Sequence, residues 1–202
     1  RKAIFLVISY LLTIIGYELV NGLNIQSVSL ATTLDSKIPL IKYFVIPYYM
    51  WYALVLFSFI YIYTKNNEEF YKFAKCIVLT MLSALIIFIF FQTSVSRPII
   101  VGDDMFSNMI RNIYANDRPV NCCPSLHVAL ALICSIWVCR VSENRILKST
   151  VIVVGYLIIL STLFIKQHVI MDVIVAFIQV FVLRNIVDRN PHVEYEETVE
   201  IR

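Results

Sequence analysis

Apolar residues run along this chain in long blocks separated by short polar segments, and the blocks have the length of membrane helices. Crossing about 30 Å of hydrocarbon takes roughly 20 apolar residues in a helix. Ala3 to Val20, Tyr43 to Tyr63, Phe73 to Phe91 and Pro124 to Cys139 each read as one such span. The stretch from Ser149 to Val187 is too long for one more, since as a single helix it would extend about 58 Å. It must fold back on itself. Its only polar punctuation is Lys166, Gln167 and His168, so a tight hairpin is expected there, which brings the count to six spans. The expected fold is an all-α, polytopic membrane protein, a six-transmembrane-helix bundle over residues 1–187 with a polar tail at 188–202. Between spans three and four, Met105, Phe106, Met109, Ile110, Ile113 and Tyr114 recur at helical spacing. Asp104 to Tyr114 is therefore expected to be a short interfacial helix in the outer loop, either a substrate gate or a surface helix packed on the bundle.

Six spans place the loop after span three and the hairpin after span five on the same side. Lysine and arginine of short loops accumulate on the cytoplasmic side. Eleven of the 17 basic residues (Arg1, Lys2, Lys65, Lys72, Lys75, Arg140, Arg145, Lys148, Arg184, Arg189, Arg202) fall on one face, and Lys37, Lys42, Arg97, Arg111, Arg118 and Lys166 on the other. Both termini are thus expected in the cytoplasm and the outer loop outside, at the plasma membrane. Composition agrees, with 59% hydrophobic residues, 15% charged and a mean hydropathy of +0.78. The net charge is only +3, and no basic cluster is interleaved with aromatics, so nucleic acid is not an expected partner. The five cysteines, odd in number and without metal-type spacing, imply no disulfide framework.

Charges and imidazoles at a membrane boundary are costly and mark a site or pair with one another. Four groups stand out. Arg97-Pro98 follows span three, and Pro124-Ser125-Leu126-His127 opens span four, with Pro124 suited to a first helical turn. Lys166 lies two residues before His168, and His168 and Asp172 share a helix face at i, i+4. Taken singly, each has an ordinary structural reading: an anchor, a helix cap, a snorkelling lysine, an ion pair. Asp117-Arg118-Pro119 reads simply as a polar turn. Together on one face they make a phosphoryl-transfer site. An imidazole attacks phosphorus only when its attacking nitrogen is unprotonated and aimed, and a carboxylate one turn away fixes that tautomer. On this reading Asp172 orients His168 and His127 protonates the leaving oxygen. Arg97, Lys166 and the amides around Ser125 would neutralise the equatorial oxygens.

These elements resemble the type 2 phosphatidic acid phosphatase and haloperoxidase superfamily, whose pattern is Lys-x6-Arg-Pro, Pro-Ser-x-His and Ser-Arg-x5-His-x3-Asp. The second is intact as Pro124-Ser125-Leu126-His127. The third runs from Ser161 to Asp172 with Thr162 where arginine is usual. Of the first, Arg97-Pro98 remains, with Phe90 at the lysine position. The wording Ser-Thr-Leu-Phe-x-Lys-Gln-His is similar to the branch that holds inositol-phosphorylceramide-synthase-like transferases beside plain phosphatases. The resemblance implies a phosphohistidine at His168 oriented by Asp172, with His127 as acid and Arg97, Ser125, Pro124 and Lys166 around the phosphate. Lys166 is the expected substitute for the missing cations. No metal or cofactor is required, although His127, His168 and Asp172 have ligand chemistry. The expected activity is hydrolysis of a lipid phosphate or diphosphate in the bilayer. The alternatives are headgroup transfer to an alcohol and a noncatalytic carrier or channel. Oligomeric state is not legible.

Overall fold

The computed structural model describes residues 2–23 and 25–189, with side chains from Ser9 onward. Among the described residues seven α-helices follow one another: α1 (Lys2–Gly22), α2 (Val45–Lys65), α3 (Asn67–Phe90), α4 (Met105–Asn116), α5 (Leu126–Val141), α6 (Arg145–Phe164) and α7 (Ile170–Arg189). The helical class and the order of elements are those expected from the sequence. Four segments, Lys42–Lys65, Asn67–Phe90, Arg145–Phe164 and Ile170–Arg189, are long and apolar enough to cross a membrane. Large apolar side chains such as Leu56, Ile60, Tyr156, Phe177 and Phe181 face outward on them. That is costly in water and favourable against lipid, and it marks an integral membrane protein.

The turns explain the boundaries. Asn66 ends α2 and caps α3, its side chain accepting the Glu69 amide at 3.0 Å, so α3 begins six residues before the expected Phe73. Asn144 caps α6 by accepting from Ile146 and Leu147 at 2.9 and 3.1 Å. α5 spans 16 residues, about 24 Å of rise, which is short for a membrane crossing. It lies at the centre of the bundle, packed by α2, α3, α6 and α7, and its Val128, Leu130, Ile133, Cys134, Trp137 and Val138 are buried. A helix surrounded by other helices need not match the hydrocarbon thickness. Gly155 allows α6 to close on it, because a Cβ there would lie 2.5 Å from Ser135 Oγ, which donates to the Val151 carbonyl at 3.1 Å.

The expected hairpin is present as the turn of residues 165–169 between α6 and α7. The C-terminal boundary moves. α7 continues to Arg189, and Asp188, expected as the start of the tail, binds Arg140 through both carboxylate oxygens at 2.8 and 2.9 Å. That ion pair gives the last turn of α7 a partner on α5 and keeps it helical. The remainder of the expected tail, 190–202, lies outside the described residues.

At the opposite end of the bundle the loops are tied together. β1 (Val28–Ser29) and β2 (Thr93–Ser94) form a two-residue parallel pair with no hydrophobic signature in sequence, and Ser94 also bridges Val120 in the antiparallel sense. A chain of buried amides runs from Gln92 Nε2 to Asn121 Oδ1 at 2.9 Å and from Asn121 Nδ2 to Asn21 Oδ1 at 3.4 Å. α4 begins at its N-cap Asp104 and docks through Ile110 and Ile113 beside Val45, Tyr48 and Ile165. It therefore packs on the bundle.

Candidate functional site

His127 lies in the first turn of α5, and His168 lies in the turn between α6 and α7. Their ring centroids are 6.0 Å apart. Three links hold them there. The Thr162 carbonyl accepts the amides of Gln167 and His168 at 2.9 and 3.1 Å, closing the end of α6 into the turn. Ser125 N donates to the Asp172 carbonyl at 3.2 Å, joining the entrance of α5 to the entrance of α7. Asp172, fully buried, takes Val169 N at 3.0 Å and lies 3.1 Å from His168 Nδ1 through the same Oδ2. That contact places a proton on Nδ1 and leaves Nε2 as the free nitrogen.

On the other side, the His127 ring packs against Tyr48 at 4.5 Å and Trp51 at 4.8 Å between centroids. Both histidines line a cavity of about 700 Å³ that runs between α1, α2, α4 and α5. Its lining mixes apolar side chains, among them Ile14, Met81, Leu126 and Leu130, with polar ones, among them Tyr17, Glu18, Asn21, Asn112, Asn116 and Asp117.

Arg97 also lines this cavity. Its guanidinium lies over the Tyr114 ring at 4.7 Å, donates to the Asp117 carbonyl at 2.6 Å, and reaches Gln167 Oε1 at 2.5 Å. Arginine can only donate, so Gln167 must present its oxygen to Arg97, and its amide nitrogen is left over. Arg97 Nε, Gln167 Nε2 and Trp51 Nε1 are buried donors without a hydrogen-bond partner, on residues that border the same cavity. Buried donors are rarely left unpaired, and a cluster of them is chemistry that suits an anion.

Three residues expected at the phosphate, Lys166, Ser125 and Pro124, are not among those that line the cavity. The Lys166 backbone is left-handed, with φ of 57°, and Nζ donates to the carbonyls of Asp35 (3.1 Å) and Ile38. A lysine that begins a tight turn points away from the residue two places on, and here it clamps the 35–38 loop. Ser125 is buried as the N-cap of α5, accepting Val128 N at 3.4 Å, and Pro124 precedes that cap rather than occupying the first helical turn. Both act on the helix entrance. The missing cations have no replacement in place either: Phe90 is 84% exposed on the outside of the bundle, and Thr162 is buried with its hydroxyl on the Ile159 carbonyl at 2.8 Å.

Asp117 and Arg118 were read only as a polar turn and Gln167 only as part of the hairpin, and Tyr48 and Trp51 were given no role by sequence reasoning. Gln167 carried a signal in its position beside the nucleophile, whereas the others are brought in by α2 and by the chain after α4. Asp35 is a further unforeseen participant. Its Oδ1 caps α7 by accepting Ile170 N at 2.8 Å, and its Oδ2 accepts Thr32 N and Oγ1, both at 2.7 Å.

Donor atoms of Cys122, His168 and Asp172 lie within 4.8 Å of one another, a spacing that could grip a metal ion. The donor set fits poorly. Burial pushes the Cys122 thiol up, which keeps the sulfur protonated, and His168 Nδ1 and Asp172 Oδ2 already occupy each other.

Compared with known protein families, residues 12–184 match the one described as the PAP2 superfamily. No curated protein and no solved structure matches the chain.

Proposed function

The chain belongs to the PAP2 superfamily, and from that premise we propose that it is a membrane lipid phosphatase working through a phosphohistidine at His168. The observation that carries the proposal is the His168–Asp172 contact of 3.1 Å facing His127 across a 6.0 Å ring separation, at a cavity bordered by Arg97. His168 Nε2 attacks the phosphorus of a lipid phosphate or diphosphate while Asp172 retains the Nδ1 proton. The oxygen of the lipid leaves with a proton from His127. Water, deprotonated by His127 in the reverse sense, then cleaves the phosphorus–nitrogen bond and releases inorganic phosphate. Arg97, through Nε and Nη2, and Gln167 Nε2 stabilise the charge on the equatorial oxygens. Pro124 and Ser125 shape the entrance of α5, and Lys166 secures the turn that carries His168. None of these steps calls for a metal.

In this reading α1 and α5 join α2, α3, α6 and α7 as spans. Both termini then lie in the cytoplasm, and the cavity opens at the extracytoplasmic rim of the plasma membrane. The apolar side chains that line the cavity suit a lipid tail, and the polar ones a headgroup.

The test is phosphate release from phosphatidate, phosphatidylglycerophosphate and a polyprenyl diphosphate by purified protein. Activity on at least one is expected from the wild type. His168→Ala is expected to abolish it, and undiminished release by that variant would sink the mechanism. A second reading, headgroup transfer to an alcohol, draws support from the amides and carboxylates of Glu18, Asn112, Asn116 and Asp117 that line the cavity, groups of the kind that bind hydroxyls. It predicts acceptor-dependent product with little free phosphate.

A further inference from the structure

Asp117 has no part in the reaction outlined above, yet it lies against the cation on which that reaction depends. Its Oδ2 is 3.7 Å from Arg97 Nη2, and its Oδ1 accepts the Tyr17 hydroxyl at 3.2 Å. Its own carbonyl takes Arg97 Nη1 at 2.6 Å, so backbone and side chain both approach the guanidinium. The Arg97 side chain is only 9% exposed, while that of Asp117 is 31% exposed toward the cavity it lines.

A carboxylate beside a guanidinium offers negative charge and a pair of acceptor oxygens, as a phosphate does, and it competes for the same donors. Around Asp117 stand Arg97 from the segment after α3, Tyr17 and Glu18 from α1, His168 from the α6–α7 turn and Cys122 ahead of α5. Tyr48 and Tyr52 of α2 also feel its charge, and Arg118 follows it in sequence on the same cavity wall. With Glu18 and Asp117 both ionised, the cavity presents two negative charges to an incoming anion and only Arg97 and Arg118 to offset them. Arg118 is engaged by the carbonyl of Asn21 at 2.6 Å. A doubly charged phosphate entering there meets a like charge on the arginine it needs.

We propose that Asp117 is a built-in counter-anion of Arg97 that competes with the substrate phosphate. The cavity therefore favours phosphate groups bearing a single negative charge, and a dianion binds together with a proton. The assignment rests on the reading of this cavity as a phosphate site. Burial already pushes the Asp117 carboxyl above the ordinary carboxylate range, partly opposed by Arg97, so the proton has a place to go.

The experiment uses sulfate, a dianion that does not titrate near neutrality, added by calorimetry to detergent-solubilised full-length protein at pH 5.5 and 7.5. Buffers of different ionisation enthalpy report proton uptake. Wild type is expected to bind sulfate about tenfold more tightly at the lower pH and to take up about one proton. Asp117→Asn is expected to bind about tenfold more tightly than wild type at pH 7.5, with most of the uptake gone. An Asn variant that binds no better, or that retains the full uptake, overturns the proposal. Absence of sulfate binding to wild type at pH 5.5 overturns it as well. Should Asp117→Asn fail to fold, His168→Ala decides the matter: uptake that persists there supports Asp117, and uptake that disappears assigns the proton to histidine and overturns the proposal. The outcomes are separable from the proposed activity, since binding needs no turnover. Wild type that binds sulfate as described but hydrolyses no lipid phosphate would sink the enzymatic reading alone.

Discussion

The lysine expected to supply the phosphate cation instead works as a fastener. Lys166 holds the carbonyls at 35 and 38, and Asp35 returns the contact by capping α7 at Ile170 N. Together they fix both ends of the turn that presents His168. Removing the carboxylate leaves the Ile170 amide without its acceptor, and hydrogen bonds to charged groups contribute about 1.5–3 kcal/mol. Asp35→Ala is therefore expected to lower unfolding stability by an amount in that range, and to reduce kcat more than it raises KM, because the nucleophile loses aim while the phosphate contacts at Arg97 remain. Burial acts to raise the Asp35 carboxyl, but the hydrogen bonds from Thr32 and Ile170 outweigh it and hold the group below its ordinary value. A carboxyl whose value is depressed by folding contributes stability above its unfolded value of about 3.9, and loses it as pH falls through the folded value. The stability gap between wild type and Asp35→Asn should accordingly be full at neutral pH and narrow below about pH 4, as followed by thermal unfolding.

At the scale of elements, α4 is the piece whose purpose changes most between sequence and structure. Its helical spacing predicts a substrate gate or a surface helix packed on the bundle, and its Tyr114 connects two parts of the site. The ring carries Arg97 at 4.7 Å, and the hydroxyl donates to the Ile165 carbonyl at 2.7 Å in the turn before His168. Tyr114→Phe preserves the ring and deletes the bond. A loss of about 1 kcal/mol is expected, together with a raised KM for phosphate substrates, whereas an unchanged KM would show that α4 does not support the site. The contact between α5 and α6 makes a separate demand. Gly155→Val drives a branched side chain into Ser135, and overpacking of this kind costs about 1–3 kcal/mol, measurable as a lower unfolding temperature in detergent.

For the molecule as a whole, the distribution of charge describes two unlike ends. One carries Arg140 bridging Glu69 and Asp188, at 3.2 and 2.8 Å, so that α3, α5 and α7 close together there. The other gathers the loops around the histidines. If the helices cross the membrane as proposed, a membrane-impermeant thiol reagent applied to intact cells should label a cysteine placed at exposed Asp103 and spare one placed at exposed Asn144. The reverse pattern would invert the topology. Treatment with a strong chelator is expected to leave phosphate release unchanged, and loss of activity restored by zinc would reinstate the Cys122, His168 and Asp172 cluster as a metal site.

The all-helical class, the helix order and the hairpin at 166–168 were legible from the sequence, because apolar block length and polar interruptions are local properties that a bilayer reads directly. So was the pairing of His168 with Asp172, although His168 lies in the turn ahead of α7 rather than on the shared helix face expected for it. The roles of Lys166, Ser125, Asp117 and Gln167 were not. Each depends on the direction of a side chain after distant segments meet, and a left-handed residue at 166 or a cap at 125 reverses what proximity along the chain implies. The sequence by itself determined which residues reach the rim of the bundle. Only the tertiary structure decided which of them turn inward, since that choice is made by packing among α1, α2, α4 and the loops, whose contacts are long-range and leave no periodic trace in the chain.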